Sequence, residues 1–271
     1  MKTKMKISIM AVMGALLAAS VVLSGCCALV GETMDMTRLG ASEEKLYPLE
    51  DVTGVELATI GDLDITLGEA PELRVNASQQ VLERLDVRVT KGLLRIALKP
   101  GTSLRNPGPI RYALTVPSLE TIIVSSVGDV RAPVLSGEHI ALMVHSTGTL
   151  TTGLVDCTTA EIRVSSTGDV DVLGLSARRL EATLSSTGDV TIRAGLVSEQ
   201  DVAVRSTGDY DARGLASQTA RVRLTSLGSA TIRVSESLDA TLTSVGDLRY
   251  YGSPRIKQSV TSTGRINHVG D

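Results

Sequence analysis

From Asp51 onward the chain alternates apolar and polar residues with a period of two, the pattern of strands that bury one face. Val55-Glu56-Leu57-Ala58-Thr59, Leu63-Asp64-Ile65-Thr66-Leu67, Leu73-Arg74-Val75 and Leu85-Asp86-Val87-Arg88-Val89 all read this way. A Lys91-Gly92 turn leads into a further strand over 93–98, and 112–116 and 121–124 add two more. Only residues 78–85 favour a helix, and the stretch 100–109, rich in Gly and Pro, is a loop.

From Val124 the alternation becomes a repeat. A serine stands two places before a glycine at Ser126 and Gly128, Ser146 and Gly148, Ser166 and Gly168, and Ser186 and Gly188. The series continues at Ser206 and Gly208, Ser226 and Gly228, Ser244 and Gly246, and Ser262 and Gly264. The glycines are 20 residues apart up to Gly228 and 18 apart after it. Two places before the serines stand Val124, Val144, Val164, Leu184, Val204, Leu224, Leu242 and Val260, all aliphatic. Two places after the glycines stand Val130, Leu150, Val170, Val190, Tyr210, Ala230, Leu248 and Ile266, again apolar. Leu135, Val155, Leu175 and Leu215 mark a third inward position, while Arg163, Asp171, Arg205, Asp211 and Arg223 lie between the columns. Such a fixed period belongs to architectures in which each unit buries its apolar face only by stacking on its neighbours.

Hairpins and a parallel β-helix both give this period. A hairpin closed by Thr167-Gly168 alone pairs Val164 with Asp171 and fails, but a three-residue loop pairs Val164 with Val172 and survives. The serine column favours the β-helix. Equivalent residues then stack about 4.8 Å apart, and inward hydroxyls can bond the next serine or a backbone carbonyl. The glycine is expected to supply the positive φ of a sharp corner. The reading is therefore all-β: a parallel β-helix of about eight regular coils, one per glycine of the column, after an irregular β N-terminal part. Gln258 and His268, on usually apolar positions, mark a terminal coil exposed on one side.

The first residues change the cellular picture. Lys2, Lys4 and Lys6 precede an apolar run from Ile7 to Leu23, and Leu23-Ser24-Gly25-Cys26 resembles the bacterial lipobox. Residues 1–25 read as a lipoprotein signal peptide and Cys26 as the lipidated residue, with 26–48 a flexible tether and 49–271 one β-helix domain. Cleavage removes three lysines and no acid, so the net charge of −3 becomes −6. That balance disfavours nucleic acid, leaving the lipid anchor as the membrane contact. Cys27 and Cys157 can form a disulfide, but no framework pattern supports one.

Two chemistries are conceivable on this scaffold. The acids that follow the corner glycines, Asp169, Asp189 and Asp209 above all, stack at coil spacing and are a candidate Ca²⁺ site. Against that, Asp beside Gly is ordinary turn chemistry, its carboxylate accepting local backbone N–H bonds. Catalysis on a β-helix, as in polysaccharide lyases and hydrolases, needs paired carboxylates in a cleft. Here the acids run in regular columns, and His139, His145 and His268 form no triad. With no Phe and no Trp there is no platform for a sugar ring. No catalytic residue, cofactor or firm metal site is expected. Outward hydroxyls at Ser125, Ser165, Ser185, Thr225, Thr243 and Thr261 form a flat face for a protein or glycan partner or a second copy.

Val52-Thr53-Gly54-Val55, Gly61-Asp62-Leu63-Asp64-Ile65 and Gly92-Leu93-Leu94-Arg95-Ile96 resemble the opening of the head GIN domain of putative autotransporter adhesins. Ser166-Thr167-Gly168-Asp169-Val170 and the close from Gly246 through Pro254 to Gly264 resemble its body and end. The resemblance spans about residues 50–271. It implies a right-handed β-helix on an exported bacterial protein, often a lipoprotein of the envelope, and carries no catalytic residues. The expected function is non-catalytic surface recognition or scaffolding at the outer membrane. A carbohydrate-active enzyme on the same fold is the alternative.

Overall fold

In the computed structural model the described residues are 32–35 and 42–271. Contacts divide the chain into Met1–Val30 and Gly31–Asp271, and every described residue lies in the second unit. The signal peptide expected over 1–25 and the expected lipidation site Cys26 lie outside the described residues. The fold is nearly all β, a solenoid of about eight turns.

The regular coils show how the sequence columns become walls. Strand β11 (Val130–Val144) pairs in parallel with β12 (Leu150–Val164), which pairs in parallel with β13 (Val170–Leu184). The pairing breaks twice within each coil, at Pro133 and Glu138 in β11, giving three short walls over 130–132, 134–137 and 139–144. The Ser-x-Gly corner then closes the triangle. Along these walls Val130, Ala132, Leu135, Ile140, Leu142 and Val144 are buried, so period-two patterning within each wall fills the interior. The stack continues through β14 (Val190–Ile192), β15 (Gly195–Val204), β16 (Tyr210–Leu224), β17 (Ala230–Leu242), β18 (Leu248–Tyr251), β19 (Arg255–Val260) and β20 (Ile266–Gly270). Where the period falls to 18, the second wall absorbs the loss: register shifts occur between Ala212 and Ala216 of β16 and again between Ser217 and Thr219. Corner and first wall keep their alignment.

The irregular N-terminal part is the first coil and a cap built as one excursion. Strands β3 (Gly54–Ala58) and β4 (Asp62–Leu67) form that coil, and β10 (Thr121–Val124) stacks on β3 while β11 stacks on β4. Between them the chain leaves to make β5 (Glu72–Ser78), a one-turn helix α1 (Gln79–Leu82), β6 (Leu85–Thr90), β7 (Leu93–Leu98), β8 (Thr102–Arg105) and β9 (Arg111–Val116). Strands β7 and β9 stack in parallel on the outer side of β3 and β4. Then the direction reverses: β6 is antiparallel to β7, and β5 is antiparallel to β9. The helix expected over 78–85 is confined to four residues, because Leu85 is taken by the β6 pairing.

The tether reading of 26–48 is corrected at its C-terminal end. Ser42–Pro48 form β2, antiparallel to the whole of β5, because a sheet edge offers a full row of unpaired backbone groups to a neighbouring segment. Its side chains remain mostly exposed, which is why its composition reads as linker. A separate two-stranded sheet joins β1 (Glu32–Asp35) to β8 in parallel.

Candidate functional site

The glycine column is a site of close approach rather than of unusual dihedrals. Of the eight members read from the sequence only Gly128 has a φ in the positive region, at 156°, near the extended range. The expectation that each corner needs positive φ is therefore corrected. What excludes a side chain is the coil before. A Cβ on Gly148 would lie 1.9 Å from the Gly128 carbonyl oxygen, and one on Gly168, Gly188 or Gly228 2.1 Å from the corresponding carbonyl. Gly208, Gly246 and Gly264 repeat the contact at 2.2, 2.0 and 2.5 Å. Each corner sits directly on its predecessor.

The column has an earlier member that the regular spacing hides. Thr59-Ile60-Gly61-Asp62 is the corner of the first coil, and a Cβ on Gly128 would be 2.1 Å from the Gly61 oxygen. The N-terminal excursion separates these two corners in sequence, so a search at fixed period passes over it. The signal was the Thr-x-Gly-Asp quartet itself.

The serines Ser126, Ser146, Ser166, Ser186, Ser206, Ser226, Ser244 and Ser262 are partly buried beside these corners. Their carbonyls, rather than their hydroxyls, carry the regular bond between coils. Gly168 N–H donates to Ser146 O at 2.9 Å, Gly188 to Ser166 at 3.0 Å and Gly228 to Ser206 at 2.8 Å. The expected hydroxyl contribution is seen in the last pair, where Ser262 Oγ donates to the Ser244 carbonyl.

The acid column has a regular function of the same kind. Asp189 N–H donates to Asp169 Oδ1 at 2.8 Å, Asp209 N–H to Asp189 Oδ1 at 2.7 Å, and Ser229 N–H to Asp209 Oδ1 at 2.8 Å. Asp62, Asp129 and Asp247 do the same for Asp129, Thr149 and Arg265. Each carboxylate thus clasps the following coil, instead of closing its own turn as expected. Short acceptors do this well, for the reason they cap helices: they reach a backbone donor without ordering a long side chain. Among the described residues no group of three His, Cys, Asp or Glu side chains could hold a metal ion. Replacing Asp189 with Ala should leave Asp209 N–H without its acceptor and cost about 1 kcal/mol. Asn should recover most of that loss, and Ca²⁺ should not change the melting temperature of the wild-type chain. Urea unfolding and calorimetry read both outcomes.

The remaining candidates are scattered. His145 Nδ1 lies 2.8 Å from Ser165 Oγ on the outer face, and His139 lies 3.6 Å from Glu161, which is also paired with Arg163. His268 stacks on Tyr250 with ring centres 5.1 Å apart. Ser165, Ser185, Thr225, Thr243 and Thr261 are exposed as read from the sequence, and Ser125 is partly so. Cys157 makes no disulfide among the described residues, and burial with the neighbouring Asp156 charge pushes its thiol up to about 11. Acids on the outer side of the first wall are paired, Asp171 with Arg193 at 2.5 Å and Asp211 with Arg213 at 2.7 Å.

One apolar feature falls outside the sequence reading. Leu154, Leu173 and Leu196 are 57%, 56% and 62% exposed, and with Val155, Leu175 and Ala194 they line a shallow depression of about 700 Å³. They sit around the corner between the first and second walls on three successive coils. Sequence columns drawn for the interior do not register it, because these positions fall out of phase with the buried ones. No helix among the described residues is long and apolar enough to cross a membrane.

Solved structures show the same fold. The chain is 19% identical to a putative adhesin from Parabacteroides merdae, with 88% of this chain and 99% of that one covered and a TM-score of 0.79. It is 20% identical to a protein from Parabacteroides distasonis described as a putative lipid binding protein, with 88% and 100% covered and a TM-score of 0.80. A putative adhesin from Bacteroides fragilis is 21% identical over 87% of this chain and 100% of its own, with a TM-score of 0.66. No curated protein matches the sequence. The model of the family described as putative auto-transporter adhesin, head GIN domain, matches residues 51–254. By that match, and on a solenoid whose corners are built for stacking, the chain belongs to the head GIN domain family.

Proposed function

We propose that this chain is a lipid-anchored, non-enzymatic protein of the bacterial envelope that acts by surface recognition. The observation that carries the reading is the use made of its acids: the corner carboxylates clasp backbone N–H groups, and Asp171 and Asp211 on the first wall pair with arginines. A hydrolase or lyase needs carboxylates free to move protons at a substrate. Membership of an adhesin family supports the same class. The lipobox ending at Cys26 supports an acyl anchor, which supplies the membrane attachment. The apolar corner around Leu173 supports contact with a partner through a flat surface rather than in a cleft.

Two measurements on the full chain test this. An alkyne-palmitate label should enter the wild-type chain and not Cys26→Ser, and the variant should leave the membrane fraction. Fluorescent wild-type chain should bind isolated envelopes saturably, and Leu154→Ser, Leu173→Ser and Leu196→Ser together should weaken binding about tenfold, a loss of roughly 1.4 kcal/mol. Release of reducing ends or unsaturated sugars from a polysaccharide panel would overturn the non-enzymatic reading.

A further inference from the structure

The two ends of the solenoid are finished differently. At the N-terminal end the capping strand β6 runs antiparallel to β7, and its outward Asp86 and Arg88 pair with each other. At the other end β19 pairs only with β17 and β20 only with β18 among the described residues, both in parallel. Among the described residues the far edge of this coil therefore presents a row of unpaired backbone donors and acceptors. All six residues of β19 are exposed. Ile256 and Val260, which continue the buried Leu238 and Leu242 column, are 41% and 40% exposed.

The outer face of this wall shows what an added strand must carry. One column runs Asp201, Arg221, Asp239 and Lys257, alternating in sign from coil to coil. Its members are ion-paired along the stack, Asp201 with Arg221 at 3.9 Å and Asp239 with Lys257 at 3.6 Å. The alternation stops on a cation. Next to it Arg255 follows Ser237 and has no carboxylate partner among the described residues. A groove of about 600 Å³ runs over the same wall and includes Arg255, Ile256 and Lys257.

We propose that this open edge accepts an extended peptide segment of a partner protein, with acids opposite Arg255 and Lys257 and aliphatic residues opposite Ile256 and Val260. Strand addition takes its affinity from main-chain bonds and its specificity from alternate side chains. Charged edges also guard sheets against indiscriminate pairing. Two β19 edges paired antiparallel about Lys257 would set one lysine directly against the other. An acidic strand instead extends the alternating column by one more step.

The probe is a fluorescein-labelled, end-blocked peptide with the sequence of residues 236–242 carrying Ser237→Asp, so that acids stand opposite both Arg255 and Lys257 in the register that Ser237 and Asp239 hold in the fold. Fluorescence anisotropy on the full chain in mild detergent should show saturable binding that weakens as salt is raised. Arg255→Glu with Lys257→Glu should weaken it about tenfold, and a peptide with Lys at both position 237 and position 239 should restore it. Both substitutions are on exposed side chains, and an unchanged melting temperature checks the fold. No binding by the wild-type chain, binding indifferent to both charge reversal and salt, or a dimer by light scattering that excludes the peptide would each overturn the proposal.

Discussion

Alanine at Gly188 should destabilise the domain by about 3 kcal/mol or more, among the largest losses that a single methyl group can cause. The added Cβ would stand 2.1 Å from the Gly168 carbonyl oxygen and 2.8 Å from the Ser166 carbonyl oxygen. Both are backbone atoms held in the neighbouring coil, so no flexible side chain can yield. Relief requires the coils to separate at the corner, which stretches the bond from Gly188 N–H to Ser166 O, now 3.0 Å. It also pulls the Asp189 N–H from Asp169 Oδ1. Because φ at Gly188 is not positive, the loss comes from space and not from dihedral strain. Gly101 supplies the control. Its φ is +78° and a Cβ there would meet nothing within 4 Å, so Gly101→Ala should cost only about 1 kcal/mol. Urea titration of the two variants separates the mechanisms, and equal losses would mean that dihedral preference, rather than stacking, explains the column.

The distinction between those two glycines shows what residues alone can reveal. Inward columns are legible because burial acts on every coil at the same phase, as at Val124, Val144 and Val164. The reason for Gly188 is not legible, since a sequence shows which residue recurs but not which atom of another coil it faces. Asp189 is obscured for the same reason: its bond reaches forward one coil, and local turn chemistry looks identical in sequence. Gly61 escapes because the cap is inserted between coils, and Ser42–Pro48 because an exposed edge strand has the composition of a linker. The exposed leucines at 154, 173 and 196 lie outside every column aligned on the interior.

The buried network around Gln200 is the other place where one substitution should matter greatly. Gln200 stands in a column with Leu180 and Ala220, yet is 2% exposed. Its Oε1 accepts from Tyr210 OH at 3.2 Å, and its Nε2 donates to Ser217 Oγ at 2.7 Å and, more weakly, to the Arg233 carbonyl at 3.4 Å. Ser217 Oγ in turn donates to that carbonyl at 2.8 Å. The network lies beside the register shift of β16 against β17, where the shortened second wall leaves backbone and hydroxyl groups to be satisfied inside. Gln200→Ala removes packing volume and strips Tyr210 OH of its acceptor, so a loss of about 3 kcal/mol is expected. Gln200→Leu fills the space but still leaves the phenol unpaired, for about 1–3 kcal/mol. Removing that phenol as well, in Tyr210→Phe with Gln200→Leu, should bring stability back toward wild type, because both ends of the bond are then apolar. Denaturant unfolding of Gln200→Leu, Tyr210→Phe and the pair measures the coupling. Additive losses would show that Gln200 acts through volume alone, whereas recovery in the pair identifies the hydrogen bond as the reason a glutamine occupies an otherwise apolar column.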